Sequence, residues 1–168
     1  MSFLIGSRQI KVLGVALCIC FACVLAGCHG DRFESSYPSL ADAVKDHAIE
    51  RRWIPSFLPA SSRNIHVVGD LSPSRVWCAF EFVPADSDQL RKSLKPVDTL
   101  PASLANVPGP GKPWWPSFLE GNLDSKRIRD AGLQLYMVEE PATASTTALE
   151  VFAIDWAKGH GLMYGPPS

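Results

Sequence analysis

Apolar and polar positions divide this chain into one long apolar run followed by a series of short periodic segments. Residues 12–26 (VLGVALCICFACVLA) contain no charged side chain. Residues 29–38 (HGDRFESSYP) are polar and predict a connecting segment rather than an element. Over residues 39–52, Leu40, Ala43, Val44, His47 and Ala48 recur at i, i+3, i+4, i+7 and i+8, the spacing of one helix face. Ser39 stands at the N-cap of that helix, with Asp42 in a capping-box-like position three residues on. Asp42, Lys45, Asp46, Glu50 and Arg52 form its wet side.

The pattern then changes period. Pro55 and Pro59 keep the segment Trp53-Ile54-Pro55-Ser56-Phe57-Leu58-Pro59 out of a helix, so it is expected to fold back over one end of the core. Residues 64–68 and 76–83 alternate with a period of two, the second setting Val76, Cys78, Phe80 and Phe82 against Trp77, Ala79, Glu81 and Val83. That alternation predicts a strand with one face on a core, joined to its neighbour by the turn-rich residues 69–75. Residues 87–95 predict a short helix stopped by Pro96, and residues 101–116, with five prolines around Trp114-Trp115, predict a long loop. Asp124 can cap a brief helix ended by Gly132. Residues 133–139, 148–156 and 161–164 predict three further strands, the last two joined by a hairpin at Lys158-Gly159-His160-Gly161. The expected fold class is α+β: an N-terminal helix packed on a mainly antiparallel sheet of about five strands.

Charge placement gives the apolar run a meaning. Arg8 and Lys11 precede it, and no acidic residue occurs before Asp31. Fifteen apolar residues make a helix of roughly 22 Å, short of a hydrocarbon core of about 30 Å but suited to an export signal. The run ends in Leu25-Ala26-Gly27-Cys28, which resembles the lipobox of bacterial lipoproteins. That resemblance implies a diacylglycerol on the Cys28 thiol, cleavage just before it and a further acyl chain of palmitate type on the new amino terminus. Two or three chains make the attachment effectively permanent, whereas one gives reversible binding. The implied organisation is a signal peptide over residues 1–27, a lipidated tether over 28–38 and a single globular domain over 39–168. The partner implied first is the membrane itself, with the domain facing the periplasm or the cell exterior. His29 follows the cysteine where an aspartate often marks inner-membrane retention, which leans toward the outer membrane in a Gram-negative cell.

Composition narrows the rest. Apolar residues make up 46% and charged residues 20%, a globular balance, and a net charge of −1 argues against a nucleic-acid binder. Cys18, Cys20 and Cys23 leave with the signal peptide, so Cys28 and Cys78 remain and Cys78 reads as a small core residue. Gly109-Pro110-Gly111-Lys112 fails as a phosphate loop because Asn106 stands five before Gly111 and Pro113 follows the lysine. Beyond residue 27 the chain contains no G-x-S-x-G, H-x-x-x-H or C-x-x-C (Cys20 and Cys23 have that last spacing but leave with the signal peptide), so neither a nucleophile elbow nor a metal site, nor any cofactor, is expected.

The tryptophans are the surplus that composition leaves: Trp53, Trp77, Trp114, Trp115 and Trp156. Core packing accounts for most such rings. The pair Trp114 and Trp115 is the candidate partner surface, because adjacent residues are hard to bury in one direction. The segment from Trp53 through Pro59 to Ile65, with Ile154-Asp155-Trp156-x-Lys158-Gly159, resembles a group of small uncharacterised bacterial envelope proteins. It implies no activity and no catalytic residue. The expectation is a non-enzymatic binding or accessory module that meets an envelope protein or cell-wall component. An envelope hydrolase with dispersed catalytic residues is the alternative.

Overall fold

The computed structural model describes residues 31–71, 74–100, 106–138 and 150–165. Cys28 lies outside the described residues. The described chain forms nine strands: β1 (Arg32–Ser39), β2 (Arg63–Leu71), β3 (Ser74–Glu81), β4 (Leu94–Pro96), β5 (Asn106–Val107), β6 (Gly121–Asn122), β7 (Gln134–Val138), β8 (Val151–Asp155) and β9 (His160–Gly165). Three helices of six residues each accompany them: α1 (Leu40–Lys45), α2 (Asp88–Ser93) and α3 (Ser125–Asp130). Seven strands make one sheet in the order β1-β2-β3-β9-β8-β7-β4, with every pairing antiparallel, and β5 and β6 form a separate ribbon.

This corrects the expected fold class. The first described element is a strand, the sheet has seven strands rather than about five, and no helix spans 39–52. Ser39 does cap α1, accepting the Asp42 N–H at 3.2 Å, but the helix closes after Lys45. The Ala48 N–H returns to the Ala43 carbonyl and the His47 N–H to that of Val44, with His47 at φ 58. That is a Schellman closure with histidine in the place usually held by glycine. A second follows at once: Trp53 N–H to Ala48, Arg52 N–H to Ile49, with Arg52 at φ 59. Two left-handed residues thus confine the predicted helix to the six residues of α1. Ala43 and Ala48 stay buried, while Val44, on the expected apolar face, is exposed.

Strand β1 occupies most of the segment read as a polar tether. Its inward face offers only Phe33 and Tyr37 as apolar anchors, too weak an alternation to stand out among Arg32, Glu34, Ser35 and Ser36. Backbone pairing along β2 supplies what the side chains do not, from Arg32 opposite Asp70 to Ser39 opposite Arg63. Residues 32–38, expected in the tether, are thus part of the sheet.

Both faces of the sheet are covered by the chain itself. On the first face, Ile65, Val67, Cys78, Phe80, Phe152 and Ile154 meet Ala43, Ala48, Ile54, Leu58 and Leu90. On the second, Val68, Trp77, Ala79, Ala153 and Leu162 meet Val107, Trp115, Leu119 and Ile128. The expectation of one buried face for β3 is thus half the truth: Val76 through Phe80 are all buried. The other sequence-predicted elements stand close to their expected places. Asp124 caps α3 through the Lys126 and Arg127 N–H groups, and Gly132 at φ 83 ends it. Gly159 at φ 66 sits in the β8–β9 turn, where Asp155 Oδ1 accepts the N–H groups of Ala157 and Lys158.

Candidate functional site

The proline-rich residues 106–124 cross the second face, and their backbone is held by side chains. Prolines remove donors from such a loop, which leaves carbonyls to be satisfied. Trp77 Nε1 donates to the Pro108 carbonyl at 2.8 Å, and the Arg32 guanidinium donates to that of Pro110. Lys112 pairs with Glu34 of β1. Gly109 leaves room for the Glu120 carboxylate, which a Cβ there would strike.

This anchoring sends the two adjacent tryptophans in different directions. Trp115 is buried in the second core at 6% exposure, and its indole Nε1 has no hydrogen-bond partner among the described residues. Trp114 is half-buried and stacks on His66 of β2, ring centroids 5.8 Å apart and planes 18° apart, with Trp115 edge-on at 6.2 Å. His66 Nδ1 lies 3.0 Å from the Ser36 hydroxyl on β1. The expected two-tryptophan surface is therefore a single ring, Trp114, set among His66, Ser36 and the Lys112–Glu34 pair. Sequence reading missed those companions because it did not see β1.

The neighbouring strand edge completes the site. β1 is the first strand of the sheet, and among the described residues no strand lies beyond the backbone N–H and C=O groups of its outer side. The opposite edge, β4, is three residues long and contains Lys95 and Pro96, two usual guards against further pairing. β1 is eight residues long. Its guards are Arg32, Glu34 and Pro38.

Two other places could hold chemistry. An apolar pocket on the second face is lined by Val107, Trp115, Leu119, Leu123, Leu135, Val151, Ala153, Leu162 and Tyr164, with room for about one water molecule. Among the described lining residues the ionisable group is the Tyr164 phenol, whose pKa burial pushes up. At the far end of the sheet, His160 stands opposite Glu81 and Asp155 in register, with Arg63 Nε 3.2 Å from Glu81. Burial holds the His160 pKa below its ordinary value, against the pull of the Glu81 and Asp155 charges. Burial also pushes the Asp155 carboxyl up, but the Lys158 and Ala157 N–H groups and the Lys158 ammonium outweigh it and leave the pKa lowered. Among the described residues, no three His, Cys, Asp or Glu side chains converge as a metal site. Cys78 is buried in the first core, and desolvation drives its thiol pKa well up, so it stays protonated.

The remaining tryptophans are structural. Trp53 stacks on Phe33 at 4.2 Å, under the Arg51 guanidinium. Trp156 donates to the Tyr136 hydroxyl at 2.7 Å and lies under Arg91.

Neither the curated proteins nor the solved structures yield a similar chain. Residues 31–81 match the model of the YbbD head domain, a small bacterial domain family. The matched span opens one residue before β1 and closes on the last residue of β3, so the similarity covers β1, α1, β2 and β3 as one unit and includes the strand that carries the open edge.

Proposed function

We propose that this chain is a membrane-anchored bacterial lipoprotein whose sheet domain binds an envelope protein or cell-wall component and catalyses no reaction. Leu25-Ala26-Gly27-Cys28, behind a basic and then an apolar segment, supports the anchor on Cys28. In a Gram-negative cell His29 favours the outer membrane. The observation that carries the binding half is Trp114, half-exposed on a pinned loop beside the open edge of β1. A partly exposed aromatic ring held rigid is the usual anchor of a recognition surface. The edge next to it, beyond which no strand lies among the described residues, offers backbone groups to an extended partner segment.

Two experiments test the two halves. Cys28→Ala should move the protein out of the membrane fraction and remove the mass added by acylation; unchanged partition and mass would sink the anchor. Photo-crosslinking from position 114 in intact cells should capture one recurrent partner, and Trp114→Ala should lose a partner captured from a β1 position. An equal yield from the alanine variant would remove Trp114 from the surface.

A further inference from the structure

Which backbone groups of β1 face outward follows from Pro38. The ladder pairs Tyr37 with Ile65, yet the next residue, Pro38, has no N–H to contribute. The groups of Tyr37 itself therefore make that pair. By alternation those of Phe33 and Ser35 also face β2, and those of Arg32, Glu34 and Ser36 face away from it. Ser36 Oγ lies 3.0 Å from His66 Nδ1, as suits a non-hydrogen-bonded pair, in which side chains stand closest. The two charged guards of this edge already have partners in their own chain. Arg32 is engaged by Asp70 and the Pro110 carbonyl, and Glu34 by Lys112. Neither approaches an incoming strand as a lone charge.

The side chains of β1 are self-complementary in one register. A second β1 laid antiparallel along this edge must bring outward groups opposite outward groups, which restricts the two-fold axis to a few residues. An axis through Phe33 overlaps only residues 32–34. One through Glu34 sets that carboxylate against its own copy, a like-charge pair. One through Ser36 sets Glu34 against Pro38, which has no N–H to return. An axis through Ser35 avoids all three. Glu34 and Ser36 then exchange N–H and C=O bonds with Ser36 and Glu34 of the second copy. On the first face Phe33 stands beside the second copy's Tyr37, an aromatic cross-strand pair.

We propose that β1 pairs with β1 of a second copy of this chain, antiparallel about a two-fold axis through Ser35, joining the two sheets into one. The inference rests on the reading of this edge as a binding surface and names its partner. His66 and Ser36 continue across the joint into Glu34 of the second copy, so Trp114, stacked on His66, lies one strand from it.

The test uses the acylated full chain in an excess of detergent micelles. Opposed residues of a non-hydrogen-bonded pair have Cα atoms about 4.5 Å apart, within disulfide reach. Ser35→Cys should therefore link to itself under copper phenanthroline and oxygen, with a yield at least ten-fold above that of Lys158→Cys in the β8–β9 turn; Cys78 is buried. Ser36→Pro removes an outward N–H and none given to β2. It should convert the sedimenting dimer to monomer with the melting temperature little changed, and the Ser35→Cys yield reads the pairing without relying on that variant. Equal yields at 35 and 158, or wild-type protein that sediments as a monomer, overturns the pairing. Photo-crosslinking from β1 in intact cells then separates the two readings. Capture of a different protein leaves the binding edge standing without the second copy, and capture of nothing overturns both.

Discussion

Phe80 lies over Gly161, its direct partner across β3 and β9, and Phe33 lies over Gly69 in the same way across β1 and β2. In each pair the ring fills the space above a residue with no side chain and shields its backbone. A Cβ at position 161 would strike the Phe80 ring. Gly161→Ala should cost about 1–3 kcal/mol in urea unfolding, since a buried ring must leave its rotamer to make room. His160, one residue earlier, makes a pH prediction. Its folded pKa is below the ordinary 6.5, so the unfolded chain binds the proton more readily. Its contribution is complete above pH 6.5 and is lost as pH falls from there toward the folded value. His160→Gln should flatten the stability curve in that window, read by thermal melts across the pH series. Asp155 has the same sign in a more acid window, below about 3.8, so it leaves the His160 window undisturbed.

At the scale of elements, β1 and α1 separate two readings of the same residues. As a tether, residues 29–38 would tolerate any polar replacement. As part of β1, residues 32–38 hold Tyr37 at 8% exposure with its hydroxyl 2.7 Å from Asp46. Tyr37→Ala should therefore cost about 3 kcal/mol by chemical denaturation, whereas a tether residue would cost nothing measurable. Elements with local signals were legible. The cap at Asp124 with Gly132 and the glycine of the β8–β9 turn are each set by a few consecutive residues. The closures at His47 and Arg52 were not legible, because histidine and arginine enter the left-handed region only when surrounding contacts hold them there.

At the scale of the molecule, Cys78 sits in the first core on a central strand, fully desolvated. It should resist a thiol reagent in the native state and react at a rate set by global unfolding, so labelling and urea denaturation should return the same free energy. A faster reaction would reveal a local opening of β3. The candidate site divides along the same line as the fold. The proposed address at Cys28 rests on consecutive residues and the surplus of tryptophans on composition, so both are read from the sequence by itself. It also determined most of the β2–β3 and β7–β9 strands, because alternation and turn residues act over short range. Only the tertiary structure decided that both sheet faces are covered, that residues 32–39 form an edge strand, and that Trp114 stands over His66 while Trp115 enters the core. Those outcomes depend on pairing and burial between residues 30 or more positions apart, as with Ser36 and His66 or Trp77 and Pro108. Local periodicity carries no record of such partners.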